Sequence, residues 1–129
     1  MQSKEFKVSL IGHTGTGKTA FLEKLLYEQA RIITPSIRNT IGVDVTPFNY
    51  KFENGNYRII FWDCAGDNRF IGLGKDYLIN SDLIILFSKG NIKDDQQFLS
   101  WLPSNIPYII VNNNSTSTIL NMIKNNLHY

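Results

Sequence analysis

The stretch Gly12-His13-Thr14-Gly15-Thr16-Gly17-Lys18-Thr19 matches the pattern GxxxxGK(S/T) at every fixed position. A segment of this kind cradles phosphate when it joins a strand to a helix: glycines let consecutive backbone N–H groups turn inward on the anion, and the helix presents its positive end. Both neighbours have the required character. Phe6 to Ile11 is a short, largely apolar run that stops at Gly12, as a buried strand feeding a glycine-rich loop would. From Lys18 to about Tyr27, Phe21, Leu22, Leu25 and Leu26 recur at helical spacing, and the pattern fades at Ile33-Thr34-Pro35-Ser36, where Pro35 breaks it. Lys18 then supplies a point charge to the terminal two phosphates, and the Thr19 hydroxyl is a ligand for Mg²⁺. Gly12, His13, Thr14, Gly15, Thr16, Gly17 and Ala20 complete the nucleotide-binding segment, His13 as a loop side chain at a variable position.

Outward from this loop, residues 32–43 read as loop. Val43 to Phe52 and Tyr57 to Trp62 flank Glu53-Asn54-Gly55-Asn56, and Asn-Gly between apolar runs marks an antiparallel hairpin. Leu83 to Phe87 and Tyr108 to Val111 are continuous apolar runs, the pattern of parallel strands covered on both faces. Helices are expected at Asp95 to Leu102, ended by Pro103 and turning an apolar stripe to the core, and at Thr116 to Leu127. The order β, loop, α, β, β, α, β, α, β, α predicts a single three-layer α/β domain over residues 1–129 with a mostly parallel sheet.

A chain of 129 residues with 43% hydrophobic content is long enough for one packed core. The net charge of +2 is too small and too evenly spread for a nucleic-acid-binding stripe, and no apolar run reaches the roughly 20 residues that span a bilayer. Cys64, the single cysteine, forms no internal disulfide, which fits a reducing compartment, cytoplasmic or nuclear. No charged-then-apolar leader, prenylatable C-terminal cysteine or myristoylation signal is visible, so no membrane anchor is expected. Richness in Ile, Asn, Lys and Tyr points to an AT-rich genome, such as that of a protist or a large virus.

A second chemical signal is Asp63-Cys64-Ala65-Gly66, which follows the apolar strand ending at Trp62. At a strand end beside a phosphate loop, Asp63 can hold Mg²⁺ through water and the Gly66 N–H can reach a γ-phosphate oxygen, so the segment senses di- versus triphosphate. Thr40, in the loop ahead of the hairpin, offers a hydroxyl to the same ion. Cys64 reads as a small buried side chain.

Thr40-Ile41-Gly42-Val43-Asp44 resembles the first switch of Ran and Rab proteins, and Trp62-Asp63-Cys64-Ala65-Gly66-Asp67-Asn68-Arg69-Phe70 resembles their WDTAGQERF second switch. Ran is the better match, through Asp76-Tyr77-Leu78-Ile79, Asn105-Ile106-Pro107 and the closing Lys124-Asn125-Asn126-Leu127-His128-Tyr129. The resemblance to Ras-like small GTPases spans essentially the whole chain. It implies binding of GTP or GDP with Mg²⁺, and protein partners that read the switch loops, nuclear-transport factors among them. Phe70 matches an aromatic residue that meets an import factor in Ran-like proteins, and otherwise reads as core.

Against that family the chain departs at several points. The guanine-reading NKxD motif is reduced to Asn113, with Asn114 in place of the Lys and Thr116 in place of the Asp. Loss of the charge-assisted pairing costs about 1.5–3 kcal/mol, so guanine preference is expected to weaken. Counting back from Thr40, Ile33 stands where the family places an aromatic residue edge-on to the base. The catalytic Gln is replaced by Asp67, whose charge would face the γ-phosphate with a repulsion of about 3 kcal/mol, so hydrolysis is expected to be slow or lost. A working NTPase with relaxed base choice and a nucleotide-free scaffold are the rival readings. The sheet is expected to have five strands and to lack the family's last strand and helix, which would uncover Val8, Leu10 and Ile110. Either the final helix shifts to cover that face or a second copy does, and the match near Lys124 to the family position favours the homodimer.

Overall fold

Strand β1 (Lys4–Ile11) is buried on both sides, with Phe6, Val8 and Leu10 toward one face and Ser9 and Ile11 toward the other. Such a strand belongs in the middle of a covered sheet. The computed structural model describes residues 4–12, 16–30, 43–64, 75–112 and 114–127, without the side chains of Thr19, 28–30, Val43, 75 and 76. In it β1 is central, and the sheet runs β2-β3-β1-β4-β5 with β2 (Val43–Phe52), β3 (Gly55–Cys64), β4 (Leu83–Phe87) and β5 (Tyr108–Val111). β1 pairs parallel with β3 and β4, β4 pairs parallel with β5, and β2 runs antiparallel to β3. The five-stranded, mostly parallel sheet expected from the sequence is therefore present.

The hairpin turns through Glu53-Asn54, with Phe52 paired to Gly55 at its base; Gly55 has φ +146°, a backbone state that side chains resist. Its register pairs Phe48 with Ile59 and Tyr50 with Tyr57. Phe52 packs edge-on against Tyr57, with ring centroids 4.8 Å apart. Pro47 sits within β2, and proline is tolerated there because β2 is an edge strand.

Helix α1 (Lys18–Ala30) buries Phe21, Leu22 and Leu25 against the Val8 and Leu10 face. The opposite face is covered by α2 (Ile92–Leu99) through Phe98 and by a 3-10 turn at Lys75–Leu78 through Leu78. α2 begins three residues earlier than the sequence pattern suggests, because Asn91 caps it: its Oδ1 accepts from the N–H groups of Lys93 and Asp94 at 3.0 and 3.3 Å. It ends at Leu99, ahead of Pro103, rather than at Leu102.

The last helix, α3 (Thr116–Asn126), takes the first of the two courses considered for it. Ile119, Leu120 and Ile123, with Leu127 just beyond, join the cluster that holds Val8, Leu10, Leu22, Leu25 and Phe87. The expected exposure of Val8 and Leu10 is therefore not found: both are 0% exposed. Each buried aliphatic side chain of this kind contributes about 1.5–3 kcal/mol, which is why an amphipathic helix leaving β5 settles there. The reason given for a homodimer, a bare face at Val8 and Leu10, is thus removed. Ile110 is 45% exposed, but one residue out of phase with the buried Val111, so it lies on the other face of β5.

Candidate functional site

The parallel strands all deliver their C-terminal ends to one rim of the sheet, where ligands of open α/β folds bind. Gly12 follows β1, Asp63 lies near the end of β3, Phe87 ends β4, and Asn112 and Asn114 follow β5. The β1–β3 register sets Asp63 directly beside Leu10, two residues short of Gly12.

Gly12 has φ +144°, and a Cβ there would lie 2.5 Å from the Phe87 carbonyl oxygen and 2.9 Å from Thr16 Oγ1. No other residue fits. Gly17 has open space around it but φ +100°, so its requirement is conformational. From Gly17 the chain enters α1 directly, with the Phe21 N–H donating to the Gly17 carbonyl at 2.8 Å.

Lys18 is buried, 6% exposed, and its Nζ donates to the Gly12 carbonyl at 2.8 Å. Burial pushes its pKa down, while the nearby Asp63 carboxylate holds it up. Asp63 is itself only 2% exposed. A buried ammonium and a buried carboxylate thus share the base of the phosphate loop. Cys64 meets the same charges with a different outcome: burial first, and Asp63 second, push its thiol up to about 12 despite Lys18 and Lys7. It is an inert, buried cysteine, as the sequence suggested.

Beside the loop, between α1 and the start of α3, lies a cavity of about 280 Å³. Phe21, Phe87, Val111 and Ile119 give it an apolar floor, and Lys24, Asn114 and Ser115 stand at its rim. Two rim groups are held in place. Asn114 Oδ1 accepts from the Asn112 N–H at 2.8 Å, and Ser115 caps α3 by accepting from the Thr118 N–H at 3.2 Å. Thr116, at the position where the family has its Asp, is buried as the first residue of α3 and also lines the cavity.

Of the residues singled out in the sequence, the structure brings together Gly12, Thr16, Gly17, Lys18, Ala20 and Asp63. Thr19 is described in its backbone alone, as the second residue of α1. His13, Thr14, Gly15, Thr40, Gly66, Asp67, Phe70 and Asn113 lie outside the described residues. Sequence reading passed over Lys24, although its place four residues after Ala20 puts both on one face of α1. It also passed over the Phe87 carbonyl, a backbone contact that no side-chain pattern reveals.

The donor set suits a hard divalent cation. Mg²⁺ takes oxygen ligands and is usually held by one or two carboxylates together with substrate phosphates and water. The buried Asp63 carboxylate beside Lys18 meets that requirement from the protein's side, and among the described residues no cluster of three His, Cys, Asp or Glu offers a cage of another kind. On the opposite face of β3, Trp62 lies under Lys7, whose Nζ is 4.1 Å from the ring centroid, and near Tyr77 at 6.0 Å between centroids.

A family model described as Roc, "Ras of Complex, Roc, domain of DAPkinase", matches residues 7–126.

Proposed function

Because the chain belongs to the Roc family of Ras-like GTP-binding domains, we propose that it is a nucleotide-dependent switch that holds a triphosphate with Mg²⁺ through the Gly12–Thr19 loop and hydrolyses it slowly or not at all. The observation that carries this reading is the burial of Lys18 and Asp63 together beneath Gly12. In a site this dry, an ammonium and a carboxylate act with little screening. Lys18 is poised to move its donor hydrogens from the Gly12 carbonyl to phosphate oxygens. Asp63 would hold Mg²⁺ through water, with the Thr19 and Thr40 hydroxyls as further ligands. When bound there, the metal would neutralise phosphate charge. Gly66, just beyond β3, would report the γ-phosphate through its N–H, and Asp67, at the water-positioning place, disfavours attack.

Base recognition is the weakened part of this switch. Among the described residues, the cavity beside the loop is rimmed by an amide, a hydroxyl and an ammonium, with no carboxylate lining it. The Ran-like reading, with partners that recognise the two switch loops, rests on the Thr40–Asp44 and Trp62–Phe70 stretches of sequence.

Titration with a fluorescent GTP analogue in Mg²⁺ tests the proposal. Wild-type protein should bind, and Lys18→Ala should weaken binding on the order of a hundredfold, the loss of charge-assisted hydrogen bonds worth about 3 kcal/mol. Equal binding by both proteins would refute the assignment.

A further inference from the structure

Lys7 lies in β1 opposite Ile60 of β3, and Ser9, two residues on, lies opposite Trp62. Residues two apart share a face of the sheet, so Lys7 and Trp62 stand on the same side. The Lys7 Nζ is 4.1 Å from the Trp62 ring centroid and donates to the Ile79 carbonyl at 2.8 Å. We infer that Lys7 is a positioning residue: one ammonium ties the end of β3, where Asp63 stands, to the turn that leads into β4. The tie rests on these contacts alone. Its effect on nucleotide rests on the reading of Asp63 as the Mg²⁺ side of the switch.

Both ends of the tie are fastened to the sheet. The Asp82 N–H donates to the Lys7 carbonyl at 2.8 Å, and Asp82 Oδ2 accepts from the Lys7 N–H at 2.8 Å. One residue earlier, the Ser81 and Ser9 hydroxyls share a buried hydrogen bond of 2.7 Å. Asn80 makes the bend with φ +64°, a region that asparagine enters more readily than most residues. Ile79 has its side chain exposed, so its carbonyl is the anchored group. Tyr77, from the same segment, sets its ring 6.0 Å from that of Trp62. A lysine that merely covered apolar surface would leave its ammonium in water. This one spends it on a ring face and a carbonyl, and such a cation holds the ring more firmly as water is withdrawn. Trp62 and Asp63 are neighbours on opposite faces of β3, so holding the ring also holds the backbone that carries the carboxylate beside Lys18.

Lys7→Met keeps the stem and removes the ammonium, and Lys7→Arg restores a cation with donors. Hydrogen exchange of the 129-residue chain, read by mass spectrometry, should rise about threefold in Lys7→Met in two separate peptides, one covering residues 59–64 and one covering 76–82. Residues 116–126 should exchange at the wild-type rate, and Lys7→Arg should return both peptides to it. Thermal melting of each variant should stay close to wild type. In Mg²⁺, Lys7→Met should bind a fluorescent GTP analogue about fivefold more weakly than wild type, and in EDTA the two should bind alike, because Asp63 acts through the ion. A lysine that served stability alone would not produce that split. A rise in one peptide only, an Arg variant that behaves as Met, or an affinity in Mg²⁺ that is unchanged or falls equally in EDTA would each overturn the proposal. A wild-type chain that binds no nucleotide while both peptides respond would refute the proposed switch and uphold the tie.

Discussion

At Gly12 a single missing methyl group decides whether the phosphate loop can exist, because the Phe87 carbonyl stands 2.5 Å from where a Cβ would be. That need was legible in the sequence as a motif glycine, though its physical cause, a backbone contact from β4, was not. Cys64 carries a prediction at this scale. Its thiol ionises near 9.0 when unperturbed and is pushed up to about 12 by burial and Asp63. A raised value in the folded state means that the thiol contributes stability fully below the ordinary value, and that this is lost as pH climbs from there toward the folded one. Denaturant unfolding between pH 8 and pH 11 should therefore show a smaller alkaline loss of stability for Cys64→Ala than for wild type. Parallel pH curves would contradict the assigned environment.

Among the elements, the strands and the hairpin were readable because their cause is local. Alternation, continuous apolar runs and Asn54-Gly55 are properties of neighbouring residues. The start of α2 at Ile92 was also readable in principle, since Asn91 is a capping residue, although the sequence reading began the helix at Asp95. The seat of α3 was not readable: Ile119, Leu120 and Ile123 mark an apolar stripe, but which sheet face accepts it depends on the competition among all the other elements. The two helices therefore give contrasting expectations. Asn91→Ala removes a cap on the face away from the cavity and should cost about 1 kcal/mol with nucleotide affinity unchanged. Ile123→Ala should cost about 2–5 kcal/mol and also weaken nucleotide binding, since the start of α3 lines the cavity. Chemical denaturation and nucleotide titration on both variants would decide it.

For the molecule as a whole, the phosphate side of the site is better built than the base side. Lys18, Asp63 and the two glycines are locked by burial or by backbone angle. Asn114 has its carbonyl oxygen spent on Asn112, and Thr116 offers a hydroxyl where charge would discriminate. GTP and ATP should accordingly compete within roughly tenfold of each other, a difference of about 1.4 kcal/mol. A preference for GTP of a thousandfold in competition assays would show that the base is read by groups other than these.

Pro47 bears on how the β2 border of the sheet meets another strand. Pro47 interrupts the row of amide donors along β2, and a strand containing proline can be zipped on one side only. A neighbouring strand laid along β2 would find a gap in its ladder at Pro47, and that gap discourages edge-to-edge association on this side of the sheet.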